Sequence, residues 1–379
     1  MPVNKCRVCE RGFMKEPLLR YENMPKVAQF LPAEKDLKSD RGVDLEIYQC
    51  SGCGLIQLNS DPVPYYRQVI RATAVSDEMN EFRTKQFGDF AQRFSLNGKR
   101  VIEIGCGRGE FLSILRKVGM DAYGLEDSEE AVRWCVGEGL KVSRGYVENE
   151  ILRINGGPFD AFCMLNFLEH LPEPNSVLGG IYNNISENAV GLVEVPNFDM
   201  ILRKNLFSEF ATDHLLYFTK DTLSTVLRLN GFEVIECSEI WHEYILSAVV
   251  IKRQRLEMYN FSRHHVHLQN ELKDYIEQFH AGKVAVWGAG HQALAILSMT
   301  NLSGKIRYVI DSAVFKQGKY TPATHIPIVS PETLVLDPVD TVIVMAASYS
   351  NEVVKIIKEK FGQKIKLAVL RDYGLEITC

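Results

Sequence analysis

Several things are missing from this chain of 379 residues. No apolar run approaches the roughly eighteen residues that a membrane helix needs, which excludes a spanning helix of the usual kind. The opening Met1-Pro2-Val3-Asn4-Lys5-Cys6 does not have the look of a secretory signal. There is no long basic run, and the formal net charge is only -5, so nothing draws the chain towards nucleic acid or another polyanion. A cytoplasmic protein acting on a small molecule, with no membrane or nucleic-acid partner, is expected. In that compartment the nine cysteines read as metal ligands and buried thiols, not disulfides. Hydrophobic content of 46% and charged content of 24% are those of an ordinary globular chain, and the length predicts two or three domains.

What the chain does have is a β-branched run, Val101-Ile102-Glu103-Ile104, that breaks into Gly105, Gly107 and Gly109 and continues as the amphipathic Phe111-Leu112-Ser113-Ile114-Leu115. This reads as strand, tight turn and helix. Glycines there let the backbone turn sharply and let a ligand approach the main chain. A second strand, Asp121 to Glu126, ends in a carboxylate about twenty residues on, where an open α/β sheet grips ribose hydroxyls. A dinucleotide and S-adenosylmethionine both fit that order. The dinucleotide fingerprint wants Gly-x-Gly-x-x-Gly with a pyrophosphate on the helix N-terminus. Here the spacing is Gly-x-Gly-x-Gly, flanked by Glu103 and Glu110. Those carboxylates repel a pyrophosphate and suit the ammonium of S-adenosylmethionine. The run resembles motif I of the class I methyltransferases.

Four cysteines make a second motif. Cys6-x-x-Cys9 and Cys50-x-x-Cys53 are paired knuckles that complete a tetrahedral four-sulfur site, with zinc the favoured ion and iron using the same ligands. Full coordination leaves no open position, so the ion is structural, a staple for a domain over 1–75 too small to hold by burial alone. At its exit, Tyr65 and Tyr66 are substrate-pocket candidates, or interdomain packing.

A helix over 76–94 leads into a core domain over 76–252 of alternating strands and helices. The strand Phe159 to Met164 runs into Asn166 and then Glu169-His170. That segment resembles the post-strand turn of class I methyltransferases, where the residue after the strand touches the cofactor, which implicates Asn166. Glu169 and His170 are read as scaffold and pocket floor. The strand Gly191 to Pro196 ends at the sheet's carboxyl edge and brings Glu194 to the substrate side. An insertion, 207–219, carries Asp213-His214. His214 is the best general-base candidate, since a histidine titrates near neutrality, and Asp213 would position it or serve the substrate. A hairpin over 240–245 offers His242 and Glu243 as reserve acid–base or substrate groups.

From 253 a polar linker helix is expected, where His264, His267 and Glu271 share a face that water explains better than metal. A second Rossmann-like unit follows, in a C-terminal domain over 253–379. Gly288-x-Gly290 starts its first helix and Asp311 ends its second strand. The turn suits a nucleotide phosphate, that of the substrate or of a nicotinamide cofactor.

The whole order resembles the sugar C-methyltransferase family acting on nucleotide-linked deoxyketosugars. That resemblance implies an α/β protein with a four-cysteine zinc domain, a class I methyltransferase core and a second Rossmann-like domain. It implies zinc on Cys6, Cys9, Cys50 and Cys53, S-adenosylmethionine at Gly105, Gly107 and Glu126, and the family's base at His214. Departures are visible. In the family's Tyr-x-Glu-His-x-x-Tyr segment this chain has Ala211 and Asp213, keeping Tyr217. C-methylation needs a base and a donor to hold the enolate, and the tyrosine donor is missing. O-methylation of a sugar hydroxyl needs only the base. The alternatives are a zinc-stapled binding or assembly protein with a vestigial cofactor site, and a nicotinamide-dependent oxidoreductase using the C-terminal unit.

Overall fold

A computed structural model describes residues 3–27, 29, 31–68, 76–362 and 364–378. The chain forms two compact units, Met1–Arg255 and Leu256–Cys379. Among the described residues no helix is long and apolar enough to cross a membrane.

The cysteine module comes first. Its strands β1 (Leu19–Met24), β2 (Val43–Gln49) and β3 (Ile56–Leu58) pair antiparallel, with Ile47 opposite Leu19 and Leu58. Alternation puts Leu45 and Ile47 on the buried face, as a half-solvated sheet requires.

The core domain begins with α1 (Asp77–Arg93), whose N-cap Ser76 accepts from the Met79 N–H. Then come β4 (Arg100–Ile104), α2 (Glu110–Lys117), β5 (Asp121–Glu126), α3 (Glu129–Gly137), β6 (Lys141–Arg144), β7 (Phe159–Leu165), α4 (Pro174–Tyr182) and β8 (Ile185–Pro196). The insertion supplies α5 (Phe198–Lys204) and the two-residue β9 (Leu216–Tyr217). The helix α6 (Lys220–Leu229), held by a Thr219–Thr222 capping box, precedes β10 (Phe232–Ile240) and β11 (Ile245–Lys252). Seven strands lie in the order β10-β11-β8-β7-β4-β5-β6. Four neighbouring pairs, from β8 to β6, are parallel, and β11 runs against both β8 and β10. Both faces are covered: Ile102 and Ile104 join one apolar layer while Val101 joins the other, against Phe87 and Phe111. The order reverses at β4, between β5 and β7, and the crevice beyond their carboxyl ends is where such sheets bind ligands.

The sequence places a separate domain over 1–75. Instead the small module and the core share one compact unit, and β9 explains why. It leaves the core to become the fourth strand of the cysteine module's sheet, with Tyr217 opposite Ile56 and Leu216 opposite Gln57.

In the second unit, α7 (Tyr259–Ile276) is more than the solvated linker expected: Leu272, Tyr275 and Ile276 enter that unit's core. The strands β12 (Val284–Trp287), β13 (Tyr308–Ile310), β14 (Ile328–Val329), β15 (Thr341–Val344), β16 (Lys366–Arg371) and β17 (Gly374–Thr378) follow. The helices between them are α8 (His291–Met299), α9 (Thr333–Leu336) and α10 (Ser350–Phe361). Their order is β14-β13-β12-β15-β16-β17, parallel except for the last.

Candidate active site

The turn after β4 is built around positive backbone angles: φ is 67° at Gly105, 56° at Gly107 and 81° at Gly109. At Gly105 a Cβ would also lie 2.7 Å from the Phe167 ring, so close approach and conformation both demand glycine. The Glu126 carboxylate folds back onto this turn, accepting from the N–H of Gly107 at 2.9 Å and of Ser128 at 2.8 Å. Burial pushes its pKa up, partly offset by those two N–H groups. Glu103, at the end of β4, is fully buried. A carboxylate held only by N–H groups beside a bare glycine backbone is a donor set that suits ribose hydroxyls and a cationic amino acid end. The residues present therefore fit S-adenosylmethionine.

Three residues that sequence reasoning passed over cover this crevice. Arg67 stacks on Tyr146, 4.7 Å from the ring centroid, and pairs with Glu148 at 2.8 Å. Tyr146 in turn meets Phe167 edge-on at 6.3 Å. With these side chains in place the crevice holds about 10 Å³, so a cofactor enters only when they move aside. Tyr66 packs edge-on to Tyr146 at 6.0 Å, its hydroxyl accepting from Arg67, and Tyr65 lies half-buried beside it. Tyr66 thus adjoins the crevice through Tyr146 and Arg67.

A second cavity, about 300 Å³, opens on the far side of the β7 turn and is lined by Asn166, His214, Tyr217, Trp241 and Tyr244 among others. Asn166 is in the left-handed region at φ 51°, and its buried Oδ1 has no hydrogen-bond partner. The Asn166–Phe167 step therefore joins crevice and cavity.

His214 reaches the cavity because its segment is clamped from two sides. Leu215 donates to the Glu169 carbonyl at 2.8 Å, and His170 Nδ1 lies 2.7 Å from the Asp213 carbonyl. On the other side, β9 is hydrogen-bonded into the cysteine module's sheet. Asp213 is buried, and its part in this clamp is through its carbonyl. Burial lowers the His214 pKa to about 4. The same cause, helped by the nearby His214, lowers His170 to about 4, and burial raises Glu169 to about 8. The two rings meet edge-on, centroids 4.8 Å apart. The surviving Tyr217 is spent locally: its hydroxyl accepts from the Ala211 N–H at 3.0 Å and donates to the Ala211 carbonyl at 3.2 Å.

The four knuckle cysteines converge, with Cys9 and Cys50 sulfurs 3.3 Å apart and Cys6 and Cys53 3.6 Å apart. Tetrahedral bonds of about 2.3 Å set sulfur separations near ~3.8 Å, so the cluster needs little adjustment to hold an ion. The N–H groups of Val8 and Gly52 and the Gln57 amide donate to Cys6 and Cys50 sulfurs, which favours thiolates.

Other expectations need correcting. Glu194 is fully buried and takes its partners from within: Arg83 and Gln86 of α1 and the Ser247 hydroxyl. Its strand runs to the carboxyl edge, but the side chain points into the α1 interface, so it meets no substrate. His242 and Glu243 sit in the β10–β11 hairpin, facing out to Glu78 at 3.2 Å and Lys204 at 2.9 Å. Their neighbours Trp241 and Tyr244 take the cavity wall instead. In the second unit, φ is 117° at Gly288 and a Cβ would lie 2.6 Å from the Met345 carbonyl; nothing lies within 4 Å of one on Gly290. Asp311 there accepts from the N–H of Ala289 and Ala313, both at 2.9 Å, and pairs with Lys316 at 2.8 Å. That carboxylate is fully engaged.

The strand order, the glycine turn and the acid at its side define a class I methyltransferase. Comparison with known proteins agrees: a methyltransferase domain family matches residues 79–237, and a C-methyltransferase C-terminal domain family matches 250–369. The C-methyltransferase NovU of Streptomyces niveus is 24% identical, over 94% of this chain and 93% of its own length. A ubiquinone biosynthesis O-methyltransferase of Methylococcus capsulatus is 36% identical over 89 residues, 22% of this chain and 38% of that relative. A solved S-adenosylmethionine-dependent methyltransferase from Clostridium acetobutylicum overlays with a TM-score of 0.40 at 10% identity, covering 50% of this chain and 96% of that one. Two family models, a methyltransferase domain and a C-methyltransferase C-terminal domain, thus match successive stretches of the chain, and the similarity to a C-methyltransferase runs nearly end to end.

Proposed function

We propose that this methyltransferase acts on a nucleotide-linked sugar, methylating carbon beside a ketone, with His214 as the base. The observation that carries the reading is His214 itself: a neutral imidazole in a cavity that meets the glycine crevice at Asn166–Phe167. S-adenosylmethionine would supply the methyl group on its sulfonium sulfur. Glu126 would hold its ribose, Gly105, Gly107 and Gly109 its backbone face, and Glu103 and Asn166 the amino acid end and reacting end. His214 would take the proton next to the acceptor's ketone, leaving an enolate carbon to receive the methyl group in line. Carbon is favoured over oxygen because the similarity to a C-methyltransferase runs nearly end to end, while the O-methyltransferase relatives match only a fraction. Zinc is the proposed ion on Cys6, Cys9, Cys50 and Cys53. It would hold β3, and through β3 the strand that carries the chain out of His214.

The test is His214→Ala with a panel of nucleotide-linked ketosugars, read by mass for one added methylene unit. Turnover is expected to fall by about 10²–10⁴-fold with cofactor affinity kept in calorimetry. Undiminished turnover removes His214 from the reaction.

A further inference from the structure

Removing a proton beside a ketone leaves negative charge on the ketone oxygen. A base does not stabilise that charge; a hydrogen-bond donor aimed at the oxygen does. The other side chains with a polar atom on the wall of the His214 cavity are Asn166, Glu209, Tyr217, Trp241 and Tyr244. Glu209 offers a carboxylate, which when ionised accepts and does not donate. Tyr217 has spent its hydroxyl on both backbone groups of Ala211. The Trp241 ring is packed against Phe82, centroids 5.2 Å apart, and against His242 at 5.0 Å. Asn166 stands where the cavity meets the cofactor crevice, at the reacting end of the methyl donor.

Tyr244 remains. Among the described residues its hydroxyl has no hydrogen-bond partner, while its backbone is firmly held. The three residues before it, Trp241, His242 and Glu243, are all left-handed, with φ of 46°, 55° and 69°. That conformation is costly away from glycine and persists only where the surroundings enforce it. Here they do: the Tyr244 N–H donates to the Trp241 carbonyl at 3.0 Å, and its carbonyl accepts from the Asn197 N–H at 2.9 Å. Asn197, fully buried at the end of β8, also donates its side-chain amide to the Glu243 carbonyl at 2.7 Å. The hairpin is thus tied to the carboxyl edge of the sheet, and it sets a partly exposed phenol on the wall of the base's cavity with its hydroxyl uncommitted.

We propose that Tyr244 is a catalytic residue whose hydroxyl donates to the acceptor's ketone oxygen as charge develops there. This deepens the methylation reading above and rests on it. His214 takes the α proton, the C–H bonding pair becomes the new C=C bond, and the carbonyl π pair moves onto oxygen, where the Tyr244 O–H meets it. The enolate carbon then takes the methyl group from S-adenosylmethionine, the C=O bond re-forms, and the C–S pair stays on sulfur as the thioether product. His214 afterwards gives its proton to water, and Tyr244 keeps its own throughout. Methyl transfer to a hydroxyl oxygen forms no enolate and leaves Tyr244 without this task.

The test follows two readouts on the nucleotide-linked ketosugar that the wild-type enzyme methylates fastest. One is the gain of a methylene unit by mass. The other is deuterium uptake at the α carbon in heavy water with S-adenosylhomocysteine bound, which reports enolate formation without methyl transfer. Tyr244→Phe keeps the ring on the wall and removes only a hydroxyl that the fold does not use, as circular dichroism should verify. It is expected to lower kcat and the exchange rate together by about 10²–10³-fold, with the acceptor KM and S-adenosylmethionine affinity little changed. Undiminished exchange and turnover, a raised KM alone, or lost methylation with exchange intact overturns the proposal, since each describes a wall and not a donor. A wild-type enzyme that neither methylates nor exchanges any ketosugar overturns the methylation reading and this one with it; an active wild type matched by Tyr244→Phe overturns this one alone.

Discussion

The chain contains two glycine turns, each followed by a helix and each met by a carboxylate from the end of the next strand. At Gly105–Gly109 the acid is Glu126; at Gly288–Gly290 it is Asp311. Both accept from the N–H groups of their own turn. The difference is Lys316, whose ammonium sits 2.8 Å from Asp311, while Glu126 is held by backbone N–H groups. Burial raises the Asp311 pKa, but Lys316 and the N–H groups of Ala313 and Ala289 outweigh it and the net shift is downward. For Glu126 the net shift is upward. An acid already neutralised by its own chain has little left to offer a ligand. The same sequence signature thus yields a ligand-ready turn in one unit and a self-satisfied one in the other.

Breaking the first turn should have the largest effect. Glu126→Ala is expected to weaken S-adenosylmethionine binding about 100-fold, as loss of charge-assisted hydrogen bonds implies, whereas Asp311→Ala leaves that affinity unchanged. Equal effects in calorimetry would erase the contrast. Consistently, a nicotinamide dinucleotide should give no fluorescence change.

Stripping the proposed zinc from the cysteines comes next. The β3–β9 pairing loosens, so turnover should fall about 10-fold while cofactor affinity holds, with zinc restoring it. A chelated enzyme at full speed would detach the module from the site.

For Asp311 the effect is on stability. A carboxylate with a depressed folded pKa stabilises the fold above its unfolded pKa, and that contribution is lost as pH falls through the folded value. Asp311→Asn should therefore cost about 2 kcal/mol at neutral pH and nothing once acid has protonated the wild type; thermal melts against pH read this directly. The smallest signal concerns His214. Burial holds its pKa at about 4, so kcat/KM should show no histidine break near pH 6.5 and decline only towards pH 4.

Local patterns told much of this in advance. Alternate glycines before an amphipathic helix, a strand-end acid at Glu126 and two Cys-x-x-Cys pairs each carry their meaning within a few residues. What escaped was tertiary. Arg83 and Glu194 are 111 positions apart and paired only by the packing of α1 on β8. The Glu169-His170 pair holds the insertion through the Leu215 N–H and the Asp213 carbonyl, contacts some 43 positions away that no local pattern shows. Two residues are too few to show a period, so β9 left no trace in the pattern. In the hairpin the polar His242 and Glu243 drew notice, yet the turn gives Trp241 and Tyr244 to the cavity wall.

That short strand also sets an order of assembly. The sheet opened by residues 19–58 is finished by Leu216 and Tyr217, which leave the ribosome only after most of the core has been made. Until then β3 waits with a bare edge, and its cysteines can take an ion before the groove beside them exists. A fragment cut after β3 would keep all four cysteines and expose a sticky margin, so the module cannot be lifted out or transplanted without the distant pair that seals it.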